Sequence, residues 1–354
     1  MNKKIFICVG IIILLILFLG LIKKIENSPV IYLTNNLSEY GSGDYEFSLN
    51  HGGLTRRYLV HVPSSYNNKT SAPLILVFHG GGGNAEDSVG YFNLNEKSNE
   101  EGFIVVYPEG TGYMINERLF GSWNGGTCCP PAYDNNVDDI GFIKKMIDEL
   151  KTNFNIDNNK IFSTGMSNGA IMSYGLACEL SDTIAAIGPS GSIGHFNECN
   201  QTRPVPVLHF HGEADPCAKY YGCEECTSCL GEIFVALGAN IKLKKTKVIS
   251  VPEFINQWRT RNKCSNKTIV TYQNKNATCI TYQDCDKNAE VTLCTIKELG
   301  HNWPGNTEFE VKACDQFPNG RICNSWKNAV GALSSDIIAN DKLWEFFENH
   351  PMNK

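Results

Sequence analysis

Between Lys160 and Cys178 the chain reads KIFSTGMSNGAIMSYGLAC. A strand-prone run ends, a serine flanked by glycines follows, and a helix-prone run begins. Few folds accept that succession. In the pentapeptide Gly165-Met166-Ser167-Asn168-Gly169, the small residues leave room for a sharp, strained strand-to-helix turn. Such a turn holds the serine oxygen exposed above a sheet, and the helix start behind it favours negative charge. An ordinary glycine-flanked turn would also carry this pattern, but would not need a strand before it and a helix after it.

The rest of the chain supplies the surroundings such a turn requires. Arg57–Val62 alternates like a strand, and Pro73–Phe78 (PLILVF) is a continuous apolar run suited to a strand buried on both faces. Phe103–Tyr107, Lys160–Thr164, Ile184–Ile187, Val205–Phe210 and Val291–Ile296 read as further strands. Val137–Phe154 has helical spacing, with Ile140, Ile143, Ile147 and Leu150 on one face. Asn168–Leu180, Phe254–Arg259 and Asp341–Glu348 are also expected to be helices. Strands alternating with helices predict an α/β fold with a mostly parallel sheet covered on both faces.

A nucleophilic serine needs a base and a carboxylate that orients the base. Asp215 lies in HGEADP just after the expected strand VPVLHF, at the sheet edge where such folds place ligands. His301 lies in GHNWPG after the strand VTLCTI. Ser167, Asp215 and His301 therefore stand in the chain order Ser, Asp, His. Glu213 rivals Asp215 as the orienting carboxylate. Asp138 and Asp139 precede the serine and suit a helix start. His209 and His211 are read as structural, and His79 as shaping the loop it opens. That loop, His79-Gly80-Gly81-Gly82-Gly83-Asn84, follows a buried strand and can aim backbone N–H groups at one spot. Gly81 or Gly82, with Asn168, are the expected oxyanion donors. No GK[ST] follows the glycines, which excludes a phosphate-binding P-loop, and no dinucleotide fingerprint is present. The chemistry calls for neither metal nor organic cofactor.

Of 15 Cys, Cys8 lies in an apolar run and the other 14 lie from Cys128 onward. That density predicts disulfides and an oxidising, extracellular or lumenal compartment. The triplet Cys223, Cys226, Cys229 is read as disulfide-forming rather than metal-binding, and the adjacent Cys128 and Cys129 are expected to pair elsewhere. Cys217–Val251 reads as a disulfide-stapled insertion. Sequons at Asn36, Asn68, Asn200, Asn266 and Asn276 agree with an exported domain. The run Ile5–Ile22, flanked by Lys3, Lys4, Lys23 and Lys24, predicts a membrane anchor or a signal segment in residues 1–25. A polar linker is expected over 26–45 and one catalytic domain over 46–354. A net charge of -6 without a basic block excludes nucleic acid as a partner.

In order along the chain, PLILVFHGGGGN, IVVYPEGT, SWNGGTCCPPA, VDDIGFI, KIFSTGMSNGAIMSYGLAC, HFHGEADP, ELGHNWPG and LWEFF resemble the polyhydroxybutyrate-depolymerase and feruloyl-esterase family, which includes acetylxylan-esterase-like members. The resemblance covers about residues 45–350. It implies the α/β-hydrolase fold, a secreted serine carboxylic-ester hydrolase, and the triad Ser167, Asp215 and His301. It further implies that Trp303 and Trp123 line the substrate cleft. The expected substrates are feruloyl, acetyl-polysaccharide or hydroxyalkanoate esters. The cysteine-rich stretch after Asp215 and the amino-terminal apolar run depart from the family pattern. An inactive hydrolase-fold binding protein and a serine peptidase are the alternatives; the intact order of triad and glycine loop favours the esterase.

Overall fold

The strand at Pro73–Phe78 shows how the sheet is built. In β3 (Ala72–Phe78), Leu74, Leu76 and Phe78 enter one core, while Ile75 and Val77 enter the other. Period-two alternation with apolar residues on both faces requires cover on both sides. The computed structural model describes residues 40–352 apart from 116, 127, 195–198, 228–230, 232–244, 310–313 and 315. The apolar run 5–22 and most of the expected linker lie outside these residues. Among the described residues no helix is long and apolar enough to cross a membrane.

The amino-terminal half supplies β1 (Gly43–His51), β2 (Leu54–Val62), β3, helices α1 (Ala85–Phe92) and α2 (Leu94–Glu101), β4 (Ile104–Pro108), the hairpin β5 (Thr111–Ile115) and β6 (Arg118–Ser122), and helix α3 (Asp139–Asn153). Then come β7 (Ile156–Met166), α4 (Asn168–Glu179), β8 (Ala186–Ser190) and β9 (Val207–Gly212). The remainder holds β10 (Cys223–Cys226), β11 (Thr246–Val248), α5 (Val251–Arg261), β12 (Thr268–Asn274), β13 (Ala277–Tyr282), β14 (Val291–Ile296), α6 (Arg321–Val330) and α7 (Ala339–Asn349). The main sheet runs β1-β2-β4-β3-β7-β8-β9-β14-β13-β12. From β4 to β14 its neighbours pair in parallel, and antiparallel strands flank that block at both ends.

One core lies under α3, α4 and α5, where Phe142, Met146, Ile147, Leu176 and Trp258 share a buried cluster with Leu74, Leu76 and Phe78 of β3. The other lies under α1 and α7, where Phe92, Leu343 and Phe347 meet Ile75, Val77 and Phe162. The Phe162 and Phe347 rings stack at 4.6 Å. Burying such a side chain is worth about 1.5–3 kcal/mol, so the helices are held chiefly by these faces. Helix α3 begins where its sequence indicated. Asp138 caps it by accepting the Gly141 N–H at 2.9 Å. β1 begins at Gly43, inside the stretch read as linker: Tyr45, Phe47 and Leu49 alternate with Asp44, Glu46 and Ser48, and the strand pairs along its whole length with β2.

The cysteines are paired as their number suggested, with one correction. Cys178–Cys199, Cys223–Cys226, Cys264–Cys285, Cys279–Cys294 and Cys314–Cys323 are disulfides. Cys279 and Cys294 are register partners on β13 and β14. Cys128 and Cys129 bond to each other rather than elsewhere, with their Cα atoms 3.1 Å apart. Cys229 lies outside the described residues.

Candidate active site

Ser167 stands between β7 and α4 with φ 58° and ψ −119°. A residue with a Cβ occupies this region at a cost of order 1–3 kcal/mol, so the surroundings must enforce it. They do so by close packing. A Cβ on Gly169 would lie 2.0 Å from the Phe78 carbonyl oxygen, and one on Gly165 would lie 2.7 Å from Gly169 backbone. The Ser167 N–H donates to the Ser190 carbonyl at 2.9 Å, while the Ser167 carbonyl accepts the first-turn N–H groups of Ala170 and Ile171. From Ile161 to Cys178 every residue is buried except Ser167. The turn therefore presents this side chain alone.

Asp215 and His301 come together from separate loops. Asp215 follows β9, and its side chain is fully buried. Its Oδ1 accepts the N–H groups of Cys217 and Ala218, each at 2.8 Å. Its Oδ2 lies 2.7 Å from His301 Nδ1, so the imidazole donates from Nδ1 and leaves Nε2 for other work. The His301 loop is stitched to the segment after α6. The His301 N–H donates to Val330 O, Gly300 N–H to Ala332 O at 2.8 Å, and the Asn302 amide to Ala332 O at 3.0 Å. His301 Cε1 reaches within 3.6 Å of where a Cβ on Gly191 would sit, and Gly191 follows the residue that holds the Ser167 N–H. Glu213 is directed away and accepts from the Tyr221 hydroxyl.

The glycine loop is fixed by backbone bonds to β6. Gly82 N–H donates to Gly121 O at 2.7 Å, Gly121 N–H to Gly83 O at 2.8 Å, and Gly83 N–H to Gly80 O at 3.0 Å. Gly82 is thereby corrected as an oxyanion donor, because its N–H is spent on the hairpin. The Asn168 N–H, at the first position of α4, stands outside the intrahelical ladder. His79 is the loop's internal peg. Its Nδ1 lies 2.7 Å from Gly80 O and must donate, so Nε2 accepts the Gly110 N–H at 3.0 Å. Burial holds this imidazole neutral, with its pKa lowered to about 4.

Trp123 and Trp303 do not line a cleft; their exposures are 0% and 1%. Each indole N–H finds an acceptor inside, which is what lets so large a ring be buried. Trp123 Nε1 donates to His79 O at 3.0 Å, and Trp303 Nε1 to Asn340 Oδ1 at 3.0 Å, with Phe92 edge-on to the Trp303 ring at 4.7 Å. Trp123 also joins the glycine loop to the serine turn. Its backbone N–H donates to Asn168 Oδ1 at 2.7 Å, and its carbonyl accepts from Asn168 Nδ2 at 3.0 Å. The partners lie 44 and 45 residues from Trp123 along the chain, and no local motif announces them.

Beneath Trp123 sits a buried ion pair. Arg56 Nη2 donates to Asp139 Oδ1 at 2.7 Å and to Glu109 O at 3.0 Å, with both side chains at most 2% exposed. Asp139 Oδ2 accepts the Asn124 N–H at 2.8 Å. Burial pushes the Asp139 carboxyl up against the pull of the guanidinium. Removing one member of such a pair strands the other charge, so Asp139→Ala should cost about 3–5 kcal/mol in urea unfolding. The pair replacement Arg56→Met with Asp139→Leu should cost far less. A loss below about 1 kcal/mol for Asp139→Ala would show that the pair does not hold this region.

Asp215, Cys217 and His301 place ligand-type atoms within 4.8 Å of one another. The Cys217 sulfur is committed to a disulfide and Asp215 Oδ2 to His301, a donor set that suits a hydrogen-bonded pair rather than a metal centre.

Parallel strands in the order β4-β3-β7-β8-β9-β14, with a serine turn after β7 and loops carrying Asp215 and His301 after β9 and β14, have the architecture of the α/β-hydrolase fold. The chain is similar in sequence to proteins named feruloyl esterase and acetylxylan esterase. It is 27% identical to feruloyl esterase B of Piromyces equi over 251 residues, covering 70% of this chain and 42% of that protein. It is 24% identical to the bifunctional acetylxylan esterase/xylanase XynS20E of Neocallimastix patriciarum over 256 residues, covering 71% of this chain and 32% of that protein. The chain thus spans less than half the length of either relative. Among solved structures, the acetyl xylan esterase from Aspergillus awamori superposes with a TM-score of 0.49 at 16% identity, over 74% of this chain and 93% of that one. No family model matches the chain.

Proposed function

We propose that this protein is a serine carboxylic-ester hydrolase acting on feruloyl or acetyl esters of the kind carried by polysaccharides. The observation that carries this reading is the 2.7 Å bond from His301 Nδ1 to the buried Asp215, beside a serine turn that leaves only Ser167 accessible. Ser167 Oγ attacks the ester carbonyl and passes its proton to His301 Nε2. Asp215 keeps the imidazole in the tautomer that can accept there and stabilises the imidazolium that results. The oxyanion is received by the N–H groups of Asn168 and Gly81, the glycine of the original pair whose N–H the hairpin does not take. His301 then returns the proton to the leaving alcohol. Water, activated by the same imidazole, hydrolyses the acyl-serine. Every atom and proton is accounted for by ester and water, so the cycle calls for no metal or organic cofactor.

The relatives named for feruloyl and acetylxylan esters support the substrate class, and hydroxyalkanoate esters are the comparison to include. The disulfides support an oxidising, extracytoplasmic location. Attachment to a membrane through 5–22, the linker and the boundaries of the catalytic domain are carried by sequence.

The test is a serine-directed phosphonate followed by peptide mass spectrometry, alongside turnover of a short-chain chromogenic ester. An adduct on Ser167 with turnover is expected. A folded protein with neither overturns the esterase reading. Relative rates on methyl ferulate, acetylated xylan and a hydroxybutyrate ester then rank the substrate classes.

A further inference from the structure

Behind Asp215 a line of buried polar groups runs through the centre of the protein. Tyr174 Oη lies 2.8 Å from His209 Nδ1, His209 Nε2 lies 3.0 Å from His211 Nδ1, and His211 Nε2 lies 2.6 Å from the Ala218 carbonyl oxygen. All three side chains are fully buried. The bonds allow one direction only. A carbonyl can only accept, so His211 carries a proton on Nε2. Burial keeps both imidazoles neutral, with pKa values pushed below the ordinary histidine range. His211 Nδ1 is therefore an acceptor and His209 donates to it from Nε2. His209 Nδ1 is left to accept the Tyr174 hydroxyl. Every ring nitrogen is used, and no alternative pattern satisfies them all.

The two ends of this line matter. Tyr174 lies on α4, the helix that starts at the Ser167 turn. His209 and His211 are alternate residues of β9 and point to the same side. The far end grips Ala218, whose carbonyl is held by His211 and whose N–H is held by Asp215 Oδ1 at 2.8 Å. His211 Nε2 also stands 3.7 Å from Asp215 Oδ2, on the oxygen that engages His301. A leucine or phenylalanine would fill either histidine site without needing partners. What the histidines add is a fixed distance and direction between the serine helix and the Asp215 loop.

We propose that Tyr174, His209 and His211 form a positioning relay that holds the Asp215 loop in register with the Ser167 helix, so that Asp215 Oδ2 meets His301 Nδ1. The proposal rests on the esterase reading. None of the three touches the reacting atoms, so each acts through Asp215. Their loss should reduce the competence of His301 as a base and leave ester binding intact.

The experiment compares the full chain with its Tyr174→Phe, His211→Leu and His211→Gln variants, using the chromogenic ester across a range of pH. Folding is checked by circular dichroism and thermal unfolding. His211→Leu should lower kcat roughly 10- to 100-fold, the scale set by small misplacements of catalytic groups, with KM nearly unchanged. It should also displace the acid limb of the kcat profile, which reports the His301–Asp215 pair. His211→Gln, which keeps an N–H for the Ala218 carbonyl, should recover most of kcat. A folded His211→Leu with the wild-type kcat and acid limb overturns the relay. If His211→Leu does not fold, Tyr174→Phe, which deletes one oxygen, decides: reduced kcat at unchanged KM supports the relay, and unchanged kcat overturns it. A wild-type protein that neither turns over nor takes the phosphonate overturns the esterase reading instead.

Discussion

Replacing Ser167 with alanine should lower kcat roughly 10^4- to 10^6-fold while leaving the fold intact. The side chain projects from the turn and makes no capping bond to α4, so its oxygen is dispensable to the architecture. The expected loss is large because attack, proton transfer and acyl-enzyme formation all pass through one atom. Asp215→Asn should lose roughly 10^4-fold for a different reason. An amide in place of Oδ2 can turn an N–H toward His301, which favours the tautomer that cannot accept the serine proton. Residues that act as a unit are not additive, so the double variant should be little worse than Ser167→Ala alone. Steady-state rates on the chromogenic ester check all three. A Ser167→Ala enzyme within tenfold of wild type would place the nucleophile elsewhere, and a fully active Asp215→Asn would return attention to Glu213.

How much of this was legible beforehand depended on where each residue finds its partners. β3 could be read from Pro73 to Phe78 because a strand buried on both faces has a continuous apolar sequence. The serine turn was legible because backbone crowding demands glycines at fixed offsets, and the Asp215 and His301 loops because each comes within a few residues of a strand that was also read. β1 was missed although Tyr45, Phe47 and Leu49 alternate cleanly, since the polar residues between them matched a linker composition. β12 and β13 were missed because β12 faces solvent along most of its length and carries no apolar period. Helix α2, with the sequence LNEKSNEE, buries only Leu94 and Ser98 and offers no amphipathic stripe. Trp123 and Trp303 were placed in the cleft by the family resemblance alone, although a large aromatic beside a catalytic motif can serve a substrate or the core equally well. What decided it was the acceptor for each indole N–H, a carbonyl or amide brought close only by the fold. The same holds for Tyr174, whose role depends on a histidine 35 positions away.

Acid should destabilise this protein well before its carboxylates titrate, and the buried imidazoles are the cause. His79, His209 and His211 are all held neutral by burial, and the His79 pKa falls from 6.5 to about 4. Above pH 6.5 neither the folded nor the unfolded chain protonates these rings, and they have no effect on stability. As pH drops below that value the unfolded chain binds protons that the folded chain refuses, so unfolding is favoured. Each such group removes about 1.4 kcal/mol per pH unit until its folded form also protonates. For His79 that range is 6.5 down to about 4, a loss of roughly 3 kcal/mol. His209 and His211 add with the same sign. Asp139 opposes them, since a carboxyl held above its ordinary value gains stability as pH falls, but it is one group against three and acts nearer its own model value of 3.8. Set against a total stability of about 5–15 kcal/mol, the histidines account for a large share. Urea unfolding from about pH 7.5 to about pH 4.5 should therefore show a steep fall beginning near pH 6.5. Substituting His209 with Gln should flatten that fall by one proton's worth. A stability that stays level across the range would mean that these rings take up protons in the folded protein as readily as in the unfolded chain, which the acceptor roles assigned to their nitrogens forbid.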